Sequence, residues 1–193
     1  MGTVLGIDQS ARATGICVLC SETRAVKRLE LVAPPKTTAG AELASPHLAV
    51  LDGRLRALLA EYAPQAVVME GYAYNAANKK FMLGEVGGVV KLAVLTFNTT
   101  LYVAAPKQVK KFISGNASAD KEQVMRAVLG NYGVDIGDDN LADAFTLAAI
   151  AAEIVNPHTQ RRCAKEVAQQ VAQKNVVTAP AKRTKLAKFK EAM

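Results

Sequence analysis

Val4-Leu5-Gly6-Ile7-Asp8-Gln9-Ser10-Ala11-Arg12-Ala13-Thr14-Gly15 is the stretch on which the fold turns. The apolar run Val4 to Ile7 reads as a buried strand that delivers one carboxylate, Asp8, in its last position. Ser10 to Gly15 is a polar turn, and a second apolar run, Ile16 to Leu19, follows at once. An acid at the exit of a central strand is poorly hydrated, and its burial is costly unless a metal or a hydrogen-bond donor compensates. An Asp that merely caps the turn is the plainer reading. The rest of the chain has to separate the two.

Working outward, residues 3–9 and 14–20 are expected as strands, with Arg24 to Val32 as a third in an antiparallel meander. Pro34-Pro35 ends it, and Lys36 to Ala44 is a loop. Ser45-Pro46 looks like an N-cap with proline at the first helical position, and leucines at helical spacing follow from Leu48 to Leu59. Ala66 to Met69 is a short buried strand that again ends in a carboxylate, Glu70. After the polar segment Tyr72 to Lys80, Phe81 to Phe97 reads as an apolar helix. Its Gly84, Gly87 and Gly88 suit close approach by another helix or a dimer partner, at a cost of about 1 kcal/mol each in helix propensity.

Leu101 to Ala104 is a further strand. Pro106 opens a helix carrying Lys107, Lys110 and Lys111, and Ser118-Ala119-Asp120-Lys121 caps another that runs to Asn131. A last core helix is expected from Asn140 to Ile154, stopped by Pro157. The pattern predicts an α/β domain over 1–157, with a basic extension over 158–193 that is partly helical or disordered.

Charge is distributed unevenly. From Arg161 onward there are nine Lys or Arg and two Glu, which accounts for the whole net charge of +7 and leaves the body neutral. Such a tail suits a polyanion, with nucleic acid first, and its contribution to binding is expected to fall steeply with salt. A solubilising role is the alternative. No run of 18 or more apolar residues occurs, so no membrane span is expected. With no basic region ahead of the first strand, no signal peptide is expected and a cytoplasmic location is the default. Cys17 and Cys20 match C-x-x-C in form only. Residues three apart on a strand point to opposite faces, no second pair follows, and buried free thiols are expected.

Three separate elements present acids: Asp8, Glu70 and Asp143. Asp138, Asp139 and Asn140 lie one turn before Asp143, and either Asp139 or Asn140 shares a helix face with it. Acids at the carboxyl ends of parallel strands form the usual crevice for chemistry in α/β sheets. Oxygen-only ligands suit Mg²⁺ or Mn²⁺, and two such ions serve phosphodiester displacement. His47, at a helix start, and His158, past a helix end, do not fit a zinc site.

These residues carry a resemblance. Val4 to Gly15 resembles the first motif of the RuvC-type Holliday-junction resolvases, in the RNase H-like (integrase) superfamily. Val67-Val68-Met69-Glu70-Gly71-Tyr72 is similar to the second. Gln108-Val109-Lys110 and Asp120 to Val124 resemble the basic segment, and Asn140-Leu141-Ala142-Asp143-Ala144-Phe145 resembles the last. The motifs come in order over residues 3–155. The resemblance implies an RNase H-like fold, with a mixed five-stranded sheet whose first three strands are antiparallel. It implies a homodimer that binds four-way or other branched DNA and makes paired Mg²⁺-dependent nicks leaving 5′-phosphates. It implies Asp8, Glu70, Asp143 and either Asp139 or Asn140 as metal ligands and catalytic residues, with Lys121 as a catalytic cation. Lys110 and Lys121 would contact the scissile strand. Tyr72 or Tyr74 would meet the junction, and Ser10, Arg12, Lys79, Lys80, Lys107 and Lys111 are further candidates for DNA contact.

The family usually has a carboxylate or histidine three residues before the last Asp, where this chain has Asn140. A compact member with a divergent last motif suits a phage-infected host as well as a bacterial cell. Three other readings compete: an RNase H-like nuclease acting on RNA–DNA hybrids or other branched DNA, an ATP-binding domain of the actin and sugar-kinase type, and a catalytically inactive junction-binding protein.

Overall fold

A computed structural model describes residues 1–10, 13–33, 44–72, 80–174 and 176–178. One six-stranded sheet runs in the order β3-β2-β1-β4-β5-β6. β1 (Thr3–Asp8), β2 (Thr14–Cys20) and β3 (Val26–Val32) form the expected antiparallel meander. β4 (Ala66–Glu70) and β5 (Thr100–Ala104) join it in parallel, because α1 (Ala44–Tyr62) and α2 (Lys80–Thr96) carry the chain back before each of them. The sheet differs from the five expected strands by β6 (Val176–Val177), two residues that pair antiparallel with β5. Two residues are too few to carry a legible alternation. β3 starts later than the sequence reading, because Arg24 turns the chain with a positive φ of 63°. The first helix begins at Ala44, ahead of the expected Ser45 cap.

Strand alternation sorts the side chains into two layers. Leu5, Ile7, Val67 and Met69 pack in one apolar cluster with Leu51, Leu55, Val90 and Val94 of α1 and α2. Val4 and Val68 face the other cluster, shared with α3 (Pro106–Ser114), α4 (Lys121–Tyr132), α5 (Asp139–Val155) and α6 (Arg162–Lys174). By the same alternation Asp8 and Glu70 point to this second face. α6 packs there through Ala164, Val167, Ala168 and Val171, so the chain stays within the folded body through β6. Cys17 and Cys20 are buried free thiols, as expected.

Local chemistry sets the ends of the helices around the acids. Pro106 begins α3, and Gly115 ends it in the left-handed conformation. Asp120 caps α4 by accepting from the Gln123 N–H, and Asp138 caps α5 by accepting from the Leu141 N–H.

α5 is buried on almost every side, lies against β1, β2 and β4, and is rich in alanine. Its approach is close. A Cβ on Gly6 would stand 2.2 Å from both the Ala144 carbonyl oxygen and the Ala148 nitrogen. One on Gly15 would stand 2.4 Å from the Asn140 carbonyl oxygen. Gly6→Ala is therefore expected to cost at least ~1–3 kcal/mol, because backbone must move to admit the methyl. Gly53→Ala, on α1 with open space around it, is expected to gain about 0.5–1 kcal/mol instead. Urea unfolding of the two variants checks the contrast.

Candidate active site

The acids come together at the carboxyl ends of the two central parallel strands. Asp8 is the last residue of β1 and is only 6% exposed. Glu70 ends the neighbouring β4, one residue beyond the Ile7–Met69 register pair. Asp143 reaches them from the second turn of α5, one residue before the Ala144 that lies on Gly6. The Asp8 and Glu70 carboxyls lie within hydrogen-bonding reach, Asp8 donating to Glu70 when it is protonated. Gln9, also buried, locks the two strand ends together by donating from Nε2 to the Glu70 carbonyl at 2.8 Å.

Burial and mutual repulsion set the electrostatics. Asp8 is raised far above the usual carboxylate range, first by burial and then by the charges of Glu70, Asp143 and Asp139. Burial is also the leading cause for Glu70, followed by Asp143, with Lys110 acting in the opposite direction. Asp143 is pushed up to about 6 by burial and by Asp139, against the pull of Lys110 and Lys121. Asp139 behaves differently. It pairs with the exposed Lys121 amine, which holds its carboxyl below the ordinary value.

Other predicted residues sort by position. Lys110 acts on Glu70 and Asp143 across the face of α3, and Lys107, a turn earlier, is exposed. Lys111 pairs with Glu166 of α6 at 3.7 Å, away from the acids. Tyr72 is 38% exposed, with the Lys91 amine 5.2 Å from its ring centre. The Ser10 carbonyl accepts from Thr14 Oγ1 at 3.3 Å. Asn140 lies in the first turn of α5 with its carbonyl against Gly15. Arg12, Tyr74 and Lys79, and the side chain of Lys80, lie outside the described residues, as does most of the basic tail.

Two residues of this neighbourhood were not singled out by the sequence reading as parts of the site. Gln9 had a signal, since it directly follows Asp8. His47 had little. It begins a helix remote in sequence, yet it is 1% exposed and its Nε2 lies 3.3 Å from the Ser10 carbonyl, fixing the turn after Asp8.

The donors are oxygen alone, and their repulsion is relieved only in part by Lys110 and Lys121. A hard divalent cation fits that chemistry. As the side chains stand, no group of three or more His, Cys, Asp or Glu among the described residues is spaced to hold a metal ion. Asp8 and Glu70 bond to each other, and Asp139 turns to Lys121. Binding an ion therefore requires these side chains to change partners.

The family model for the crossover junction endodeoxyribonuclease RuvC matches residues 4–152. The RuvC of Syntrophomonas wolfei is 32% identical over 153 residues, covering 75% of this chain and 85% of that protein. The Moorella thermoacetica RuvC is 30% identical over 168 residues, covering 86% and 98%. Among solved structures, Thermus thermophilus RuvC in complex with its Holliday-junction substrate superposes with a TM-score of 0.65 at 25% identity, over 79% of this chain and 93% of that one.

Carboxyls raised above their unfolded values take up protons more readily in the folded state. They stabilise the fold at low pH and lose that contribution as pH rises through the folded pKa. In EDTA, melting temperature should therefore fall from pH 5 to pH 8, with Asp143 titrating near pH 6 within that window. Glu22 and Glu30 are lowered, so their effects lie below it. Asp8→Asn should raise the melting temperature at pH 8 and flatten the decline, as read in thermal melts at both pH values.

Proposed function

Because the chain belongs to the RuvC family of crossover junction endodeoxyribonucleases, we propose that it resolves four-way DNA junctions by paired, divalent-cation-dependent hydrolysis of phosphodiesters. The observation that carries this reading is the convergence of buried Asp8 with half-buried Glu70 and Asp143 at one strand-end crevice, with Lys110 and Lys121 at its rim. The match over residues 4–152 favours this reading over the ATP-binding one. Asp8, Glu70, Asp143 and Asp139 are the residues that would hold Mg²⁺ or Mn²⁺, two ions per site. Bound there, the cation supplies charge neutralisation and Lewis acidity toward water and the phosphoryl oxygens.

The chain's own residues prepare that reaction. Rigid strand ends and the close α5 contact bring the acids to one crevice, and the side chains exchange partners there when the cation binds. Lys110 offers positive charge beside the acids, where the scissile phosphate would lie. Lys121 gives up Asp139 to contact the same strand. Tyr72 is exposed enough to stack on an unpaired base at the junction. Lys107 and the basic tail would hold the flanking backbone.

Asp139, rather than Asn140, is the better candidate for the acid missing from the last motif. Its charge reaches Asp8 and Asp143, while the side-chain amide of Asn140, whose backbone carbonyl rests on Gly15, is the competing ligand. Paired nicks require two sites, and a homodimer supplies them. The exposed face of α2 supports this, with Leu92 62% exposed and open space at Gly84 and Gly88. The protein would act on DNA in the cytoplasm of a bacterial cell or of a phage-infected host, and no described helix is long and apolar enough to cross a membrane.

Asp8→Asn and Asp143→Asn should each reduce cleavage of a labelled four-way junction by on the order of 10²–10³ while junction binding by gel shift is retained. Faster cutting of an RNA–DNA hybrid by the wild type would move the assignment to another nuclease activity. Intact junction binding by a wild type that makes no nick in Mg²⁺ would make this an inactive binder. In calorimetric Mn²⁺ titrations without DNA, Asp139→Asn should weaken binding more than Asn140→Ala, and the reverse order would give the ligand role to Asn140.

A further inference from the structure

Far from the acids, two arginines from different parts of the chain line one cleft of about 380 Å³. Arg24 comes from the turn between β2 and β3, and Arg161 from the segment that leads into α6. Ala25, Tyr132, Glu153 and His158 are among the other walls. The Arg24 side chain is only 10% exposed. Its backbone holds a φ of 63°, a conformation that L residues rarely adopt.

Charge in the cleft does not balance. Arg24 Nη2 donates to Glu153 Oε2 at 3.3 Å and to the Asn156 carbonyl at 2.6 Å. Glu153 is the one carboxylate on these walls, and its oxygens already accept from the backbone N–H groups of His158 and Thr159 at 3.0–3.3 Å. Arg161 Nη1 donates to the Phe112 and Ile113 carbonyls at 3.0 and 2.7 Å, where it caps the end of α3. The same guanidinium lies over the rings of Phe112 and Tyr132. Arg24 Nη1 and Arg161 Nη2 remain buried with no hydrogen bond of good geometry among the described residues, although the Arg161 guanidinium also reaches the Tyr132 hydroxyl.

The walls thus carry two guanidiniums against one carboxylate, which Arg24 and two backbone N–H groups already occupy, and a buried cation with unmet donors is costly unless an acceptor arrives. Planar forked donors match the oxygens of a tetrahedral oxyanion. We infer that this cleft is a second binding site, for a phosphate group, separate from the acid cluster. Glu153 lies ten residues beyond Asp143 on α5, which places the cleft ~15 Å along the helix from the acids. The inference stands whatever substrate the acids act on. The phosphate belongs either to a nucleic-acid backbone or to a free phosphorylated small molecule, and the chemistry at the arginines is the same.

The test uses the full chain in EDTA, titrated calorimetrically with inorganic phosphate. Ala25→Glu places a carboxylate on the cleft wall from an exposed position and leaves both arginines in place. The wild type and Asp143→Asn should bind one phosphate saturably. Ala25→Glu should bind at least tenfold more weakly while keeping its far-ultraviolet circular dichroism and melting transition. Duplex binding across a salt series then separates the sources. A drop of about one in the log–log salt slope of Ala25→Glu identifies a backbone phosphate, and an unchanged slope with lost phosphate binding identifies a small molecule. Absence of saturable phosphate binding by folded wild type, or equal binding by Ala25→Glu, overturns the inference.

Discussion

Contact between α5 and the sheet at Gly6 and Gly15 is the constraint on which the rest depends. No side chain separates helix from strand at these points, so α5 lies on the β1–β2 pair at backbone distance. Its burial on nearly all sides follows, and alanine is the residue that such packing admits. Asp143 is set beside Asp8 by the same contact, because it directly precedes the Ala144 whose carbonyl rests on Gly6. The geometry of the acids and the packing of the core are one arrangement.

That arrangement stores unfavourable electrostatics. Buried Asp8 and half-buried Glu70 and Asp143 repel one another, and the fold holds them through apolar burial on both sides of the sheet. Protonation or a divalent cation relieves the repulsion, whereas in their absence the charges oppose folding. Lys110 and Lys121 compensate only in part, which leaves the crevice able to take up more positive charge. A cation-dependent nuclease site would gain from this, since binding the cation would relieve charge that the fold already holds together.

Much of this was legible in the sequence because the signals were periodic or local. The strand-acid-turn-strand pattern located β1, Asp8 and β2, and a second acid after Val67-Val68-Met69 located Glu70. Caps at Asp120 and Pro106 set two helices nearly to the residue. The proximity of Asp143 to Asp8 required the ordered motifs, since nothing local says where a helix will cross a sheet. Contributions made through backbone were hidden. Gly6 and Gly15 stand beside Asp8 in the chain with no local sign of the helix they touch, and His47 meets a carbonyl 37 residues away in the chain. β6 escaped for want of length. The Arg24–Arg161 cleft joins positions 137 apart, and no motif connects them.

The central claim is that Asp8, Glu70 and Asp143 form one divalent-cation site held by the α5 contact. Anomalous diffraction from crystals grown with Mn²⁺ tests it most directly. The account predicts a manganese peak within about 2.1 Å of an Asp8 carboxylate oxygen, shared with Glu70 or Asp143. Manganese bound only elsewhere on the protein, with Asp8 still bonded to Glu70, would contradict it.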